Sequence, residues 1–300
     1  MGAAVVVLGP TASGKSEVAM AAALTVEGTE IIAVDAMQVY RGMDIGTAKP
    51  TAAERAAVVH HCVDLVDPSA EFTVADYQRA YRRAIDGLEG QALLVAGTGL
   101  YLVAAVDDLD VPGQWPEVRR ELESEPDLDA MFDRLQTLDP TSAARIGGAS
   151  NRRRLVRALE VTVGSGQPFS SFGPGIGAHP PTGAVMIGLR WSRPALAQRI
   201  ERRVHEMVAA GLPDEVSRLQ ASGPLSRTAR QALGYKELLD EPDRDRALEQ
   251  IIRRTRQFAV RQERWFRRDP RVRWIDIDHD PVTEAAPVVI EALHAAAAVS

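Results

Sequence analysis

Residues 9–16 read GPTASGKS and stand between an apolar run, Ala3–Leu8, and a helix-forming stretch, Glu17–Leu24. A G-x-x-x-x-G-K-S segment in a strand, loop, helix context is a phosphate loop, and it constrains the fold more than any other feature of the chain. Its glycines let successive backbone N–H groups point inward at a diphosphate, and the helix N-terminus adds its dipole. Lys15 supplies a point charge, and the Ser16 hydroxyl can ligate Mg²⁺, the expected cofactor. The expected diphosphate-binding residues are therefore Gly9, Pro10, Thr11, Ala12, Ser13, Gly14, Lys15 and Ser16.

Two further apolar runs, Glu30–Val34 and Ala92–Ala96, read as buried strands, and Thr73-Val-Ala-Asp76 offers a capping pattern for a helix through about Leu88. Apolar strands alternating with helices predict an α/β fold, a P-loop NTPase-like parallel sheet flanked by helices. Ligands sit at the carboxyl ends of such strands, where the polar segments after Leu8, Val34 and Ala96 fall. From Val111 the pattern changes. Pro112, Gly113 and Pro116 mark a boundary, and PEVRRELESEPDLDAMFDRLQTLDP and NRRRLVRALEVTVG read as amphipathic helices with no strand between them. A Gly-, Pro- and Ser-rich connection over 164–183 precedes a strand at Ala184–Leu189 and a helix from near Pro194 to before Gly211. The expected organisation is a catalytic core of 1–111 and 171–300 carrying a small all-helical insertion domain, 112–170. Around 250–268, Ile251, Ile252, Phe258, Ala259, Trp265 and Phe266 share one helical face, with most of the arginines off it.

Composition narrows the setting. At 300 residues and 45% hydrophobic content the chain can bury one large core. No apolar stretch approaches the ~20 residues of a membrane span, MGAAVVVLGP lacks a basic leader, and Cys62 is the single cysteine. A cytoplasmic protein without a membrane partner is expected. The net charge of −6 argues against general polyanion binding, yet Arg145, Arg152, Arg153, Arg154 and Arg157 form one basic cluster and the arginines of 253–271 a denser one. Only Lys15, Lys49 and Lys236 are lysines, which hints at a need for compact point charges where they occur.

A phosphate loop alone does not name a reaction. Asp35, ending an apolar strand, could hold a metal in a kinase or NTPase, a reading that predicts ATP binding and phosphate release dependent on Lys15. His60-His61-Cys62 has no further Cys or His at zinc spacing and is read as structural. Tyr77/Tyr81 and Trp265/Phe266 could stack on bases, but their helical spacing among apolar neighbours favours core packing.

The longest pattern is DAMQVYRGMDIGTAK, residues 35–49. Together with GPTASGKS, Gly97-Thr-Gly-Leu-Tyr101, Ala232-Leu-Gly-Tyr-Lys-Glu237 and Thr255-Arg-Gln-Phe-Ala-Val-Arg-Gln262, it resembles the tRNA dimethylallyltransferases, in order and with comparable spacing from Val5 to about Arg267. The resemblance implies transfer of a dimethylallyl group from dimethylallyl diphosphate to the exocyclic N6 amine of adenosine 37, beside the anticodon of tRNA. It implies Asp35, Lys15 and Thr98 as catalytic residues. It also implies contacts to the anticodon stem-loop from Asp35, Ala36, Met37, Gln38, Thr98, Arg119, Arg153, Arg154, Leu155, Val156 and Arg157, with Gln38 presenting donor and acceptor to an adenine edge. A monomer is expected. The chain departs from the family at Ala36, where a serine is usual, at Ala96 in place of a glycine, and at Val260 in place of a lysine. It carries no Cys/His pattern for the zinc finger of eukaryotic members, which fits a bacterial-type one. Prenylation of free AMP or ADP would use the same donor site without a basic insertion, and a non-catalytic RNA-binding switch would not need Asp35.

Overall fold

A computed structural model describes residues 4–298, which divide into two compact units, one of 4–107 with 179–298 and one of 108–178. The first begins with β1 (Val5–Leu8), α1 (Lys15–Thr25), β2 (Thr29–Val34), α2 (Ala52–Ala57), β3 (His60–His61), α3 (Val74–Asp86), β4 (Gln91–Ala96) and α4 (Gly99–Val106). The second unit contains α5 (Pro116–Ser124), α6 (Leu128–Leu138), α7 (Pro140–Ile146) and α8 (Arg152–Ser165). The first unit resumes with β5 (Val185–Trp191), α9 (Arg193–Ala209), α10 (Leu212–Ser222), α11 (Tyr235–Asp240), α12 (Arg244–Phe266), β6 (Val272–Ile277) and α13 (Pro281–Ala297).

The strands form one parallel sheet in the order β3-β2-β4-β1-β5-β6. Alternation along β1 explains its continuous apolar sequence: Val5 and Val7 face a core built with α1, α9, α12 and α13, while Val6 and Leu8 face one built with α3, α4, α10 and α11. Both faces are covered, so each position must be apolar. The register matters most for function. Leu8 and Val34 both pair with Ala96, so β1, β2 and β4 end level and release their loops side by side. The second unit packs its own core around Leu122, Met131, Leu135, Leu155 and Leu159.

Sequence reasoning placed no element after residue 268, where β6 and α13 lie. The start of α13 was signalled: Asp280 caps it by accepting from the Thr283 N–H, with Pro281 in the first turn. β6 is half exposed and mixes Arg273 and Asp276 with apolar residues, which weakens its period. No helix of the described residues is long and apolar enough to cross a membrane.

Arg271 fixes the two points where the chain leaves and re-enters the first unit. Its Nη1 lies 2.6 Å from Asp107 Oδ1 and 2.7 Å from the Pro180 carbonyl, and its Nη2 lies 2.7 Å from Asp269 Oδ2. Burial alone would raise the Asp269 carboxyl, but hydrogen bonds from Arg271 hold it below its ordinary value. That contribution is therefore present above the ordinary aspartate range and lost as pH falls through the lowered value. Arg271→Met strips the guanidinium from Asp107 and leaves Asp269 only His179 and the backbone N–H at 271, and is expected to cost about 3 kcal/mol at pH 7. In urea unfolding the deficit should narrow as pH is lowered toward about 3, because protonation removes the stranded charges.

Candidate active site

The phosphate loop is an open cradle. Gly14 caps α1 at φ +91° with no side-chain cap, and the first intrahelical bond runs from Val18 N–H to Gly14 O. The amides before Val18 consequently lack intrahelical acceptors and face the space a phosphate would fill. Neighbouring carbonyls are tied back. Arg199 Nε donates to Ala12 O at 2.9 Å while its guanidinium stacks on Trp191, whose indole N–H donates to Ser13 O at 2.9 Å. Gln262 bridges the loop to β4, accepting from Thr11 N–H at 2.9 Å and donating to Gly97 O at 2.7 Å. Ser13 Oγ is buried without a hydrogen-bond partner, a deficit of about 1–3 kcal/mol that a ligand oxygen would offset.

Two cations face this cradle. Burial, reinforced by the Arg203 guanidinium, pushes Lys15 down to about 8, although Asp35 and Glu17 pull the other way. Arg203, on α9, is itself lowered by burial. Sequence reasoning gave it no role, since an arginine within an amphipathic helix reads as solvated; the Arg199/Arg203 spacing of one helical turn, after a buried strand, was the available signal.

The segment after β2 forms the opposite wall. Asp35 Oδ1 accepts from the Met37 and Gln38 N–H groups at 2.8 and 3.3 Å, and Thr98 Oγ1 accepts from Ala36 N–H at 3.1 Å. Asp35 Oδ2 points at Gly97: a Cβ there would sit 3.1 Å from Oδ2 and 3.4 Å from Lys15 Cε. Asp35 and Lys15 thus flank one glycine, and the structure brings Asp35, Lys15 and Thr98 into one cleft. Gln38 is more constrained than its sequence suggested. Both hydrogens of its amide are engaged, by Thr47 O and Ala48 O at 3.1 Å each, so only Oε1 is left to face a ligand.

The cleft comprises two cavities of about 500 and 550 Å³ that share Lys15, Ser16, Gln38 and Arg203. The larger carries Asp35 and Thr98 and an apolar wall including Met37, Val204, Met207, Phe258 and Trp265. Trp265 therefore lines the cleft, against Gly99, while Phe266 and Tyr77 are core as expected. Arg261 lies over Phe258 at the same wall, but Arg254 and Arg256 are paired with Glu237 and Glu201. His61 pairs with Glu30 at 2.6 Å.

The RRLVR stretch of the second unit divides. Arg153 and Arg154 are exposed on α8, whereas Leu155 and Val156, expected beside them at an RNA surface, have buried side chains. Arg157 donates to the Pro112 and Gly113 carbonyls and pairs at 3.1 Å with Glu160, which is fully buried. Arg119 is half-buried and pairs with Glu123.

The family described as IPP transferase matches residues 38–269. A tRNA dimethylallyltransferase of Paenarthrobacter aurescens is 46% identical over 96% of this chain and 95% of its own length. One of Pseudarthrobacter chlorophenolicus is 47% identical over 94% and 96%. The crystal structure of a tRNA isopentenylpyrophosphate transferase from Bacillus halodurans superposes with a TM-score of 0.70 at 36% identity, covering 100% of this chain and 99% of that one.

Lys15 carries a testable cost. Its lowered value disfavours the ammonium in the folded state by 10.5 minus 8, or on the order of 3 kcal/mol before solvent screening. Lys15→Met is expected to stabilise the ligand-free protein by about 2 kcal/mol at pH 7. The advantage should shrink as pH rises from about 8 toward 10.5, where the folded wild type sheds the proton before the unfolded chain does. Denaturant unfolding across that range measures it.

Proposed function

Because the chain belongs to the IPP transferase family and its reaction is prenyl transfer to tRNA, we infer that dimethylallyl diphosphate is the donor and the N6 amine of adenosine 37 the acceptor. The observation that carries the reading is the placement of Asp35 Oδ2 and Lys15 on either side of Gly97, with the phosphate loop beneath. A carboxylate and a diphosphate site so close fit displacement at a carbon held between them.

The donor diphosphate lies on the amides at the start of α1, with Lys15 and Arg203 against its charge. Its five-carbon group extends along the apolar wall of the larger cavity. The adenine, splayed from its loop, enters beside Asp35. Its amine is a poor nucleophile because the lone pair is delocalised into the ring. As the N6–C1 bond forms and the C1–O bond breaks, Asp35 Oδ2 takes the N6 proton and diphosphate departs into the cationic cradle. Gln38 Oε1 accepts from the second N6 hydrogen, a role its engaged amide leaves open. Thr98 keeps Asp35 in place by holding the Ala36 amide.

Magnesium fits this donor set as a shared ion. Among the described residues no cluster of three or more acidic, His or Cys side chains forms a metal cage, whereas Ser16 lines both cavities and a diphosphate supplies further oxygens. Bound between them, Mg²⁺ would neutralise leaving-group charge. Arg153 and Arg154 are the residues of the second unit best placed by exposure for RNA phosphates. A monomer working in the cytoplasm is part of the same proposal.

Asp35→Asn is expected to lower kcat for prenylation of an anticodon stem-loop by about 100-fold or more while stem-loop binding persists. Mass spectrometry of the product fixes donor and target together. Wild-type turnover by Asp35→Asn would remove Asp35 as the base, and product formed with AMP but not the stem-loop would overturn the acceptor.

A further inference from the structure

Glu215, on α10, is 2% exposed and belongs to none of the motifs that define the cleft. Its carboxylate nevertheless accepts from three consecutive backbone amides of the opening pattern: Asp44 at 3.1 Å, Ile45 at 2.9 Å and Gly46 at 3.4 Å. The Tyr235 hydroxyl donates to it as well, at 2.5 Å. Burial, followed by the Glu215 carboxylate, pushes the tyrosine up, which keeps it a donor. The Tyr235 ring lies directly on Gly46, where a Cβ would come within 2.4 Å of it. A buried carboxylate on a row of N–H groups fixes the peptide planes of that segment, as a bound anion would.

The next two carbonyls in the chain, Thr47 O and Ala48 O, are the ones that hold the Gln38 amide. Amides turned toward Glu215 and carbonyls turned toward Gln38 thus belong to one short run of backbone. We propose that Glu215 is a positioning residue for acceptor recognition: by anchoring the 44–46 amides it aims the Thr47 and Ala48 carbonyls, which lock the Gln38 amide and present its Oε1 to the target adenine. The inference rests on the acceptor role given to Gln38 above. It makes the ALGYKE motif, through Tyr235, a support for the base-reading loop rather than a ligand contact.

The experiment compares wild type, Glu215→Gln, Tyr235→Phe, Gln38→Ala and the Glu215→Gln/Gln38→Ala double variant, with kcat and KM measured separately for stem-loop and for dimethylallyl diphosphate. In Glu215→Gln an NH₂ meets backbone N–H groups, and kcat/KM for the stem-loop is expected to fall about tenfold with the donor KM within about twofold of wild type. In the Gln38→Ala background the same change should cost less than about threefold, because the group it aims is gone. Tyr235→Phe leaves the carboxylate and its three amides in place and should show the same split at about threefold, which keeps the test open if Glu215→Gln does not fold. Equal loss for donor and stem-loop, or a Glu215→Gln penalty as large without Gln38 as with it, would overturn the proposal. Wild-type stem-loop kinetics in Gln38→Ala would instead remove the acceptor reading on which it stands.

Discussion

The site depends on strands that stop together. Because Leu8 and Val34 both pair with Ala96, Gly9, Asp35 and Gly97 begin their loops at one level of the sheet. A slip of one residue in β2 would carry Asp35 along the strand by about 3.3 Å and turn its side chain to the other face. Local sequence near the site cannot prevent that slip. It is prevented by the buried pairing of Ile31, Ile32, Leu93 and Leu94 below, so core packing is the first determinant of where Asp35 stands.

On this frame the cleft concentrates buried positive charge. Lys15 and Arg203 are both driven down by burial, and Arg203 aggravates Lys15. Asp35 relieves both only in part, and Ser13 Oγ has no partner. Such an arrangement is costly without an anion and favourable with one. Two buried cations side by side also give a reason for the tethering of the loop by Arg199, Trp191 and Gln262: a floppy loop would relax around its own lysine.

What the sequence made legible follows the range of the interactions. The phosphate loop, strands β1, β2, β4 and β5 and helices α1, α3 and α9 were readable because their signals are local: apolar runs, a capping box at Thr73, glycine at a turn. Asp35, Lys15 and Thr98 were readable through motif resemblance, and their convergence through the strand-end rule. Arg203, Glu215 and the Gln262 bridge were not. Each acts across more than 150 residues of chain, and an isolated Arg, Glu or Gln within an amphipathic helix looks the same whether it meets water or a buried partner. Leu155 and Val156 show the converse limit of a motif read as a string. A helical motif quoted as a continuous string mixes outward and inward positions, and only those at Arg153 and Arg154 face out.

The scarcity of lysine can be read the same way. Lys49 has 1% side-chain exposure and directs its ammonium at three acceptors, Tyr40 O at 2.7 Å, Asp44 at 2.7 Å and Asp64 at 2.6 Å. Three acceptors around a point suit the three N–H groups of an ammonium and not a planar fork. Arg271, by contrast, meets two carboxylates and a carbonyl, and the guanidinium serves both acids through parallel edges. Lys15 donates to the Pro10 carbonyl at 3.4 Å and has Asp35 and Glu17 as its acidic neighbours. A chain that writes arginine almost everywhere thus keeps a lysine at 49 where three acceptors surround a point, whereas Lys236 makes a single pair with Asp240 one helical turn away.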